Sequence, residues 1–313
     1  MSTPHMSTPH VRGLVVTADD FGLHPSVNAA VERAHTAGIL TAASLMVGAP
    51  AARDAIARAH ALPGLRTGLH LVLADGPSVL PPRVIPDLVD AQGYFGARMA
   101  RDGVRFFCLP RVRRQLALEI RAQFEAFAAS GLALDHVNAH KHFHLHPTML
   151  SLILRIGREF GLRSVRLPRE VGPPWGPPRG PPERWWLRPW LALLAARLDS
   201  AGIAHNDYVI GMHQSGRFDE PALLAALRNL PTTGIGELYL HPALASGAAI
   251  APSMRGYRHA DEFAALVSLR VRAACDALRA RGWRFGGYAD LVAATGAMAG
   301  QPAGLAVQGR AGP

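Results

Sequence analysis

Short apolar runs alternate with amphipathic segments along most of this chain, and that alternation limits the fold more than any other feature. Residues 11–17, 40–47, 67–73, 134–139, 164–167 and 236–241 read as strands, with further strands near Tyr208 and over 283–285. Between them, 25–37, 51–61, 111–130, 147–160, 220–230 and 260–281 read as helices. The first helix has Pro25 in its opening turn and Gly38 just past its end. Proline lacks a donor that the first turn leaves unused anyway, and glycine tolerates the backbone conformations of a helix terminus. Over 111–130, Val112, Leu116, Ile120, Phe124 and Phe127 form one apolar stripe that must be covered. Repeated strand–helix units imply a parallel sheet with helices packed on it. Six or seven such units favour closure, so the expected class is α/β, an irregular (β/α) barrel of about seven strands.

The length of 313 residues suits one undivided barrel, expected over 11–297. An insertion is expected at about 171–200. Within it, 172–182 is too rich in proline and glycine for a helix or a central strand. The following stretch 184–198 mixes tryptophan, leucine and arginine. Residues 1–10 are a tandem copy of Met-Ser-Thr-Pro-His, and 298–313 are mostly small and polar. Both ends are expected to be disordered.

Composition excludes several classes. The formal charge is +10, carried almost wholly by arginine, with Lys141 the single lysine. No Lys/Arg-rich run interleaved with aromatics accompanies it, so nucleic acid is not an expected partner. Coding bias explains much of the charge, although a basic surface also suits phospholipid headgroups. Cys108 and Cys275 stand in unrelated contexts and suggest neither a disulfide framework nor a zinc ribbon. No apolar run is long enough to span a bilayer, and the N-terminus lacks the pattern of a signal peptide. The expected location is the cytoplasm, with peripheral contact at the inner membrane allowed. A serine nucleophile is disfavoured because no GxSxG elbow occurs.

In parallel β/α folds the chemistry gathers at the carboxyl ends of strands. Here those ends are unusually polar. The first strand leads into Asp19–Asp20–Phe21–Gly22, and the third carries His70 after Gly68–Leu69. The fourth runs into five histidines: His136, His140, His142, His144 and His146. The fifth contains Arg166, and a late strand ends in His241–Pro242. Burying so many titratable groups is costly unless they pair or bind a metal. Two adjacent aspartates allow one carboxylate to hold a cation while the other takes a proton. The competing reading is that Asp19 or Asp20 caps the helix at Pro25. Imidazole with carboxylate suits zinc, iron, nickel or manganese better than magnesium. The residues alone leave open which of the five histidines would serve, and a lone His70 or His241 is more often a satisfied core histidine.

The segments Thr17–Ala18–Asp19–Asp20–Phe21–Gly22, Gly68–Leu69–His70, His136–Val137–Asn138–Ala139–His140–Lys141–His142 and Leu240–His241–Pro242–Ala243 resemble the YdjC-like carbohydrate deacetylase family, in the same order along the chain. The stretch Ala43–Ser44–Leu45–Met46–Val47–Gly48 and the helix opening at Pro110 resemble the subgroup associated with hopanoid biosynthesis. The resemblance implies a barrel of the glycoside hydrolase and deacetylase type, holding one divalent ion, zinc or magnesium, on Asp20, His70 and His140. It implies Asp19 as general base, His241 as general acid and Arg166 as the group orienting Asp19. Asn138 and Lys141 stand where relatives often carry aspartate and histidine, which weakens any such role for His142; His144 and His146 receive none.

The implied reaction is N-deacetylation of an N-acetylglucosaminyl group, on a hopanoid glycolipid by the finer resemblance or on soluble chitooligosaccharides otherwise. Expected partners are the acetylated amino sugar, a membrane surface met through Trp185, Trp186 and Trp190, and a second copy of the chain. A non-catalytic sugar- or lipid-binding protein is the remaining alternative. Asp19 beside the three ligands argues against it, since binding needs no base.

Overall fold

The computed structural model describes residues 11–171, 187–245 and 250–294. The strands are β1 (Arg12–Phe21), β2 (Ala42–Leu45), β3 (Arg66–Leu71), β4 (Leu134–Ala139), β5 (Tyr208–Ile210), β6 (Gly234–Leu240) and β7 (Arg284–Phe285). All pair in parallel, in the order β4-β3-β2-β1-β6-β5, and β7 adds to the start of β1. The sheet curls, and the stretch 163–171 spans the gap between its edges. Val137 pairs with Val165, Ser164 with Ala204, and Glu170 with Val209. The strand expected at 164–167 is therefore a bridging ribbon rather than a regular strand, and the α/β barrel is irregular at this seam.

The helices are α1 (Pro25–Ala37), α2 (Ala52–Ala61), α3 (Met99–Cys108), α4 (Pro110–Ala129), α5 (Pro147–Gly157), α6 (Arg188–Ser200), α7 (Glu220–Arg228), α8 (His259–Val267), α9 (Leu269–Ala280) and α10 (Tyr288–Ala294). The predicted stripe of α4 is buried at all five positions. One expected helix is two. The chain over 260–281 breaks at Ser268, whose backbone is extended (φ −61°, ψ 131°) and whose side chain accepts from the backbone N–H groups of Arg270 and Val271. Both halves are amphipathic, but Glu262, Ala265 and Leu266 of α8 and Val271, Cys275 and Leu278 of α9 would face opposite sides of one continuous helix, so the break lets both faces be buried. Helices α3, α6 and α10 are additions to the sequence reading. Residues 1–10, 172–186, 246–249 and 295–313 lie outside the described residues, and with them the expected disordered ends and about half of the insertion.

The strands sort their side chains by alternation, because successive residues point to opposite faces. Leu14, Val16 and Ala18 of β1 join Ala43, Leu45, Leu69, Leu71, Val137 and Ala139 in the large core shared with the helices. Val15, Ala42 and Ile235 belong to a separate cluster with Tyr288 and Leu291 of α10. That small cluster forms an apolar floor inside the barrel. The next inward positions toward the carboxyl ends are polar: Thr17, Ser44, His136, Glu237, and then Asp19, His70, Asn138 and Tyr239. Gly68 is inward as well. A Cβ there would lie 2.5 Å from the His136 ring, so glycine makes room for that imidazole against β3.

Candidate active site

Asp19 and Asp20 both reach the barrel mouth because β1 is irregular there. Its register against β2 shifts between Ala18 and Phe21. Asp20 adopts a left-handed conformation, φ 63°, which only a local constraint sustains in a residue other than glycine. Neither aspartate caps α1. That cap is His24, whose ring accepts from Ser26 N at 3.1 Å, and the turn is tied by Gly22 N donating to Asn28 Oδ1 at 2.8 Å. The carboxylates are thus left for the site.

Asp20, His70 and His140 offer one ligand atom each, all within 4.8 Å of one another, and all three residues are buried. His70 Nε2 lies 3.3 Å and His140 Nδ1 3.1 Å from the same oxygen, Asp20 Oδ1. The other oxygen, Asp20 Oδ2, is buried without a protein partner. Two imidazoles, one carboxylate and an orphaned carboxylate oxygen suit a divalent cation. Among the described residues this is the single cluster of that kind. Burial alone would raise the Asp20 carboxyl, but the His140 and His70 rings outweigh it and hold it well below the usual range.

His140 is selected from its run by the backbone. Lys141 and His142 follow it with φ 56° and 54°, two left-handed residues in succession inside the 3-10 segment His140–Leu145. This turn gives each histidine a different neighbour. His142 Nε2 is 3.0 Å from the Tyr239 hydroxyl, and His144 Nε2 is 2.9 Å from the Arg166 carbonyl. Burial pushes the His144 imidazole down to about 4. His146 packs edge-on against Phe106 and Phe143. His136 sits below the site, 3.1 Å from Ser44 Oγ and 2.9 Å from Asp135.

Asp19 is clamped. Arg166 donates to both of its oxygens, at 2.6 and 2.9 Å, and Asn138 Nδ2 donates to Oδ1 at 3.2 Å. Burial would raise this carboxyl, but the Arg166 charge overrides it and keeps Asp19 ionised. Arg166 is fully buried and also bridges to Glu237 at 2.7 Å through two nitrogens. Glu237 in turn accepts from Thr17 and Tyr288, each at 2.6 Å. A buried cation is therefore shared between two carboxylates, with remaining lone pairs satisfied, the condition under which such a cluster is tolerated. The Arg166 guanidinium lies 4.6 Å from the centre of the Tyr239 ring.

Asn138 is the hinge of this arrangement. Its Oδ1 lies 2.6 Å from His70 Nδ1, while its Nδ2 donates to Asp19 and to Ser44. The amide must point this way, because only Nδ2 can donate to a carboxylate. His70 Nδ1–H then donates to Oδ1, which leaves Nε2 facing Asp20 as the atom free to ligate a metal. Replacing Asn138 with leucine is expected to weaken zinc binding about 10- to 100-fold, the usual cost of losing a partner behind a ligand. Asn138→Asp keeps the acceptor for His70 and should retain most of the affinity, while setting a second carboxylate against Asp19. Calorimetric titration of both variants with zinc checks the split.

His241 stands at the end of β6. Its Nδ1 is buried without a partner, and its ring packs edge-on against Tyr239 and Tyr257. Glu262 accepts from its backbone N–H at 2.5 Å, and His259 Nδ1 meets its carbonyl at 2.6 Å. Burial lowers the His241 imidazole, against the pull of Asp20 and Asp19. Asp19, His70, His140, His142, Tyr239 and His241 together line a cavity of about 170 Å³.

All six residues singled out in the sequence thus lie in one buried cluster. Four further members were not singled out: Glu237, Tyr239, Ser44 and Tyr257. A signal for two of them existed. Glu237, Tyr239 and His241 alternate along β6, and a glutamate inside an otherwise apolar strand implies a buried partner. Trp185 and Trp186 lie outside the described residues. Trp190 is half-buried and donates from Nε1 to the Leu145 carbonyl at 3.1 Å, so it packs on the barrel.

A carbohydrate deacetylase of Brevibacillus brevis is 37% identical over 155 residues, covering 50% of this chain and 59% of that protein. The mouse carbohydrate deacetylase is 36% identical over 173 residues, covering 53% and 54%. The chain thus spans a little over half the length of these curated relatives. The crystal structure of a proposed cellobiose-phosphate cleavage protein from Enterococcus faecalis V583 shares the fold, with a TM-score of 0.68 at 23% identity over 90% of this chain and 99% of that one. The sequence profile of the YdjC-like proteins matches residues 13–277, a span that begins in β1 with the two aspartates and ends in α9, and the chain therefore belongs to the YdjC-like protein family.

Proposed function

We propose that this chain is a metal-dependent N-deacetylase that removes acetate from an N-acetylglucosaminyl group, carried on a hopanoid glycolipid. The observation that supports it most is the convergence of Asp20, His70 and His140 beside a separately clamped Asp19. A divalent ion on the three ligands would polarise the acetamide carbonyl and acidify a water molecule. Asp19 accepts the proton of that water. The Arg166 clamp keeps its carboxylate ionised but also makes it a weak base, which fits a water that is already acidified. His241 protonates the departing amine. Its lowered pKa makes it a stronger acid once protonated, at the expense of the protonated fraction. Arg166 and Asn138 hold Asp19 in position, and Asn138 does the same for His70.

The lipid-linked reading draws on the surroundings of the site. His142, Lys141 and Met212 border both the catalytic cavity and an adjoining cleft of about 1270 Å³. Phe143, Leu145, Leu187, Trp190 and Leu191 make that cleft largely apolar, and an apolar aglycone buried there would bring its sugar to the cavity. Soluble chitooligosaccharides are the second reading. A cleft of about 900 Å³ beyond Asp75 presents the exposed Tyr94 ring, a surface on which a sugar could stack. Mass spectrometry of products from an acetylglucosaminyl hopanoid and from diacetylchitobiose, with metal content measured on the same sample, decides between them. Release of acetate from neither substrate by the metal-loaded protein would overturn the proposal.

A further inference from the structure

Helix α3 is apolar on two sides. Phe106 turns inward, against Phe143 and His146, and Gly103 packs beside it. On the adjoining, solvent-facing side Val104 is 63% exposed and Phe107 60% exposed, one turn apart, and Leu109 at the junction with α4 is 45% exposed. A covered helix face needs only one apolar stripe, so this second stripe has no role in the fold. Its surroundings are cationic. Arg98, Arg101, Arg111, Arg113 and Arg114, on α3 or within a few residues of its ends, are all exposed, and Arg111 is bridged to Asp87. The one acidic side chain between residues 98 and 114 is Asp102, already bridged to Arg101 and Arg105. Arg98, Arg113 and Arg114 make no ion pair among the described residues. The same helix forms a wall of the apolar cleft through Met99 and Ala100. The facing wall, α6, carries Leu193 at 57% exposure next to the cleft-lining Leu191 and Ala192.

We propose that the outer face of α3, Val104, Phe107 and Leu109 within their ring of arginines, docks on the surface of an anionic lipid bilayer. Apolar side chains that enter the headgroup region, bordered by cations that meet lipid phosphates, are the composition such a contact requires. A protein partner would ordinarily be matched by charges of both signs, and here the free charges are all positive. Docked in this way, the cleft wall formed by α3 lies at the membrane. The surface serves the lipid-linked reading of the substrate, yet its binding is measured without substrate, so the two can fail separately.

The test is co-flotation of the full chain with vesicles of phosphatidylcholine alone and of phosphatidylcholine with phosphatidylglycerol. The wild type is expected to float with the anionic vesicles only, and less so at high salt. The double variant Val104→Ser/Phe107→Ser should bind them at least several-fold more weakly. Arg113→Gln/Arg114→Gln should lose about fivefold per arginine, the equivalent of ~1 kcal/mol for each charge near the surface. Unchanged thermal melting establishes that both variants are folded, since these side chains are exposed. No flotation with anionic vesicles would overturn the proposal. So would wild-type affinity in both variants, or a dimer in sedimentation that Val104→Ser/Phe107→Ser dissociates, which would assign the face to a second copy of the chain.

Discussion

His140→Ala, His70→Ala and Asp20→Ala are each expected to abolish metal-dependent turnover while leaving the protein folded. The fall should be roughly a thousandfold or more, because a bound cation contributes several kcal/mol of transition-state charge stabilisation and each ~1.4 kcal/mol is a factor of ten. The loss should track bound metal, read by elemental analysis after chelation and add-back. His142→Ala, His144→Ala and His146→Ala provide the contrast: their rings meet Tyr239, the Arg166 carbonyl and Phe106, not Asp20. They should keep the metal. Chelation of the wild type should lower its melting temperature, since an ion that binds only the folded state stabilises it by mass action. Full activity in any of the three alanine variants would refute the triad.

Arg166→Met is expected to be the most destabilising single change. It leaves Asp19 and Glu237 as two buried carboxylates without their shared cation. Removing one partner from a buried ionic cluster typically costs about 3–5 kcal/mol, which corresponds to a melting shift on the order of 10 °C for a domain of this size. Adding Glu237→Gln should recover part of the loss, because one uncompensated charge is removed while Thr17 can still donate to the amide oxygen and the amide nitrogen can donate to the Tyr288 hydroxyl, whose own hydrogen turns to Asn206 Oδ1. Thermal melts of the single and double variants form the test. A melting temperature for Arg166→Met within a degree or two of wild type would show that the cluster contributes little to stability.

Element order was legible because the core of each element is local. The stripe of α4 and the strands β1 to β4 follow from periodicity within a few residues. The misses have local causes as well. Helix α3 contains Gly103, which weakens a helical pattern. The break at Ser268 lies between two segments that are each amphipathic, and neither one alone carries the offset between their buried faces. The seam at 163–171 makes isolated bridges instead of a ladder, so its strand character depends on β4 and β5 rather than on its own residues.

That polar groups crowd the carboxyl ends of parallel strands could be read from the residues alone, since alternation and strand direction are properties of the local chain. Motif order named Asp20, His70 and His140 through resemblance. What each residue meets depends on how distant segments assemble. Asp20 and His140 are 120 positions apart, and their approach to 3.1 Å depends on sheet order, on the bulge in β1 and on the left-handed turn after His140. The same holds for Asn138, which the sequence offered only as a departure from its relatives. Its amide, placed between His70 and Asp19, joins the proposed metal ligands to the proposed base, because inward positions of neighbouring strands lie within hydrogen-bond reach once the barrel closes.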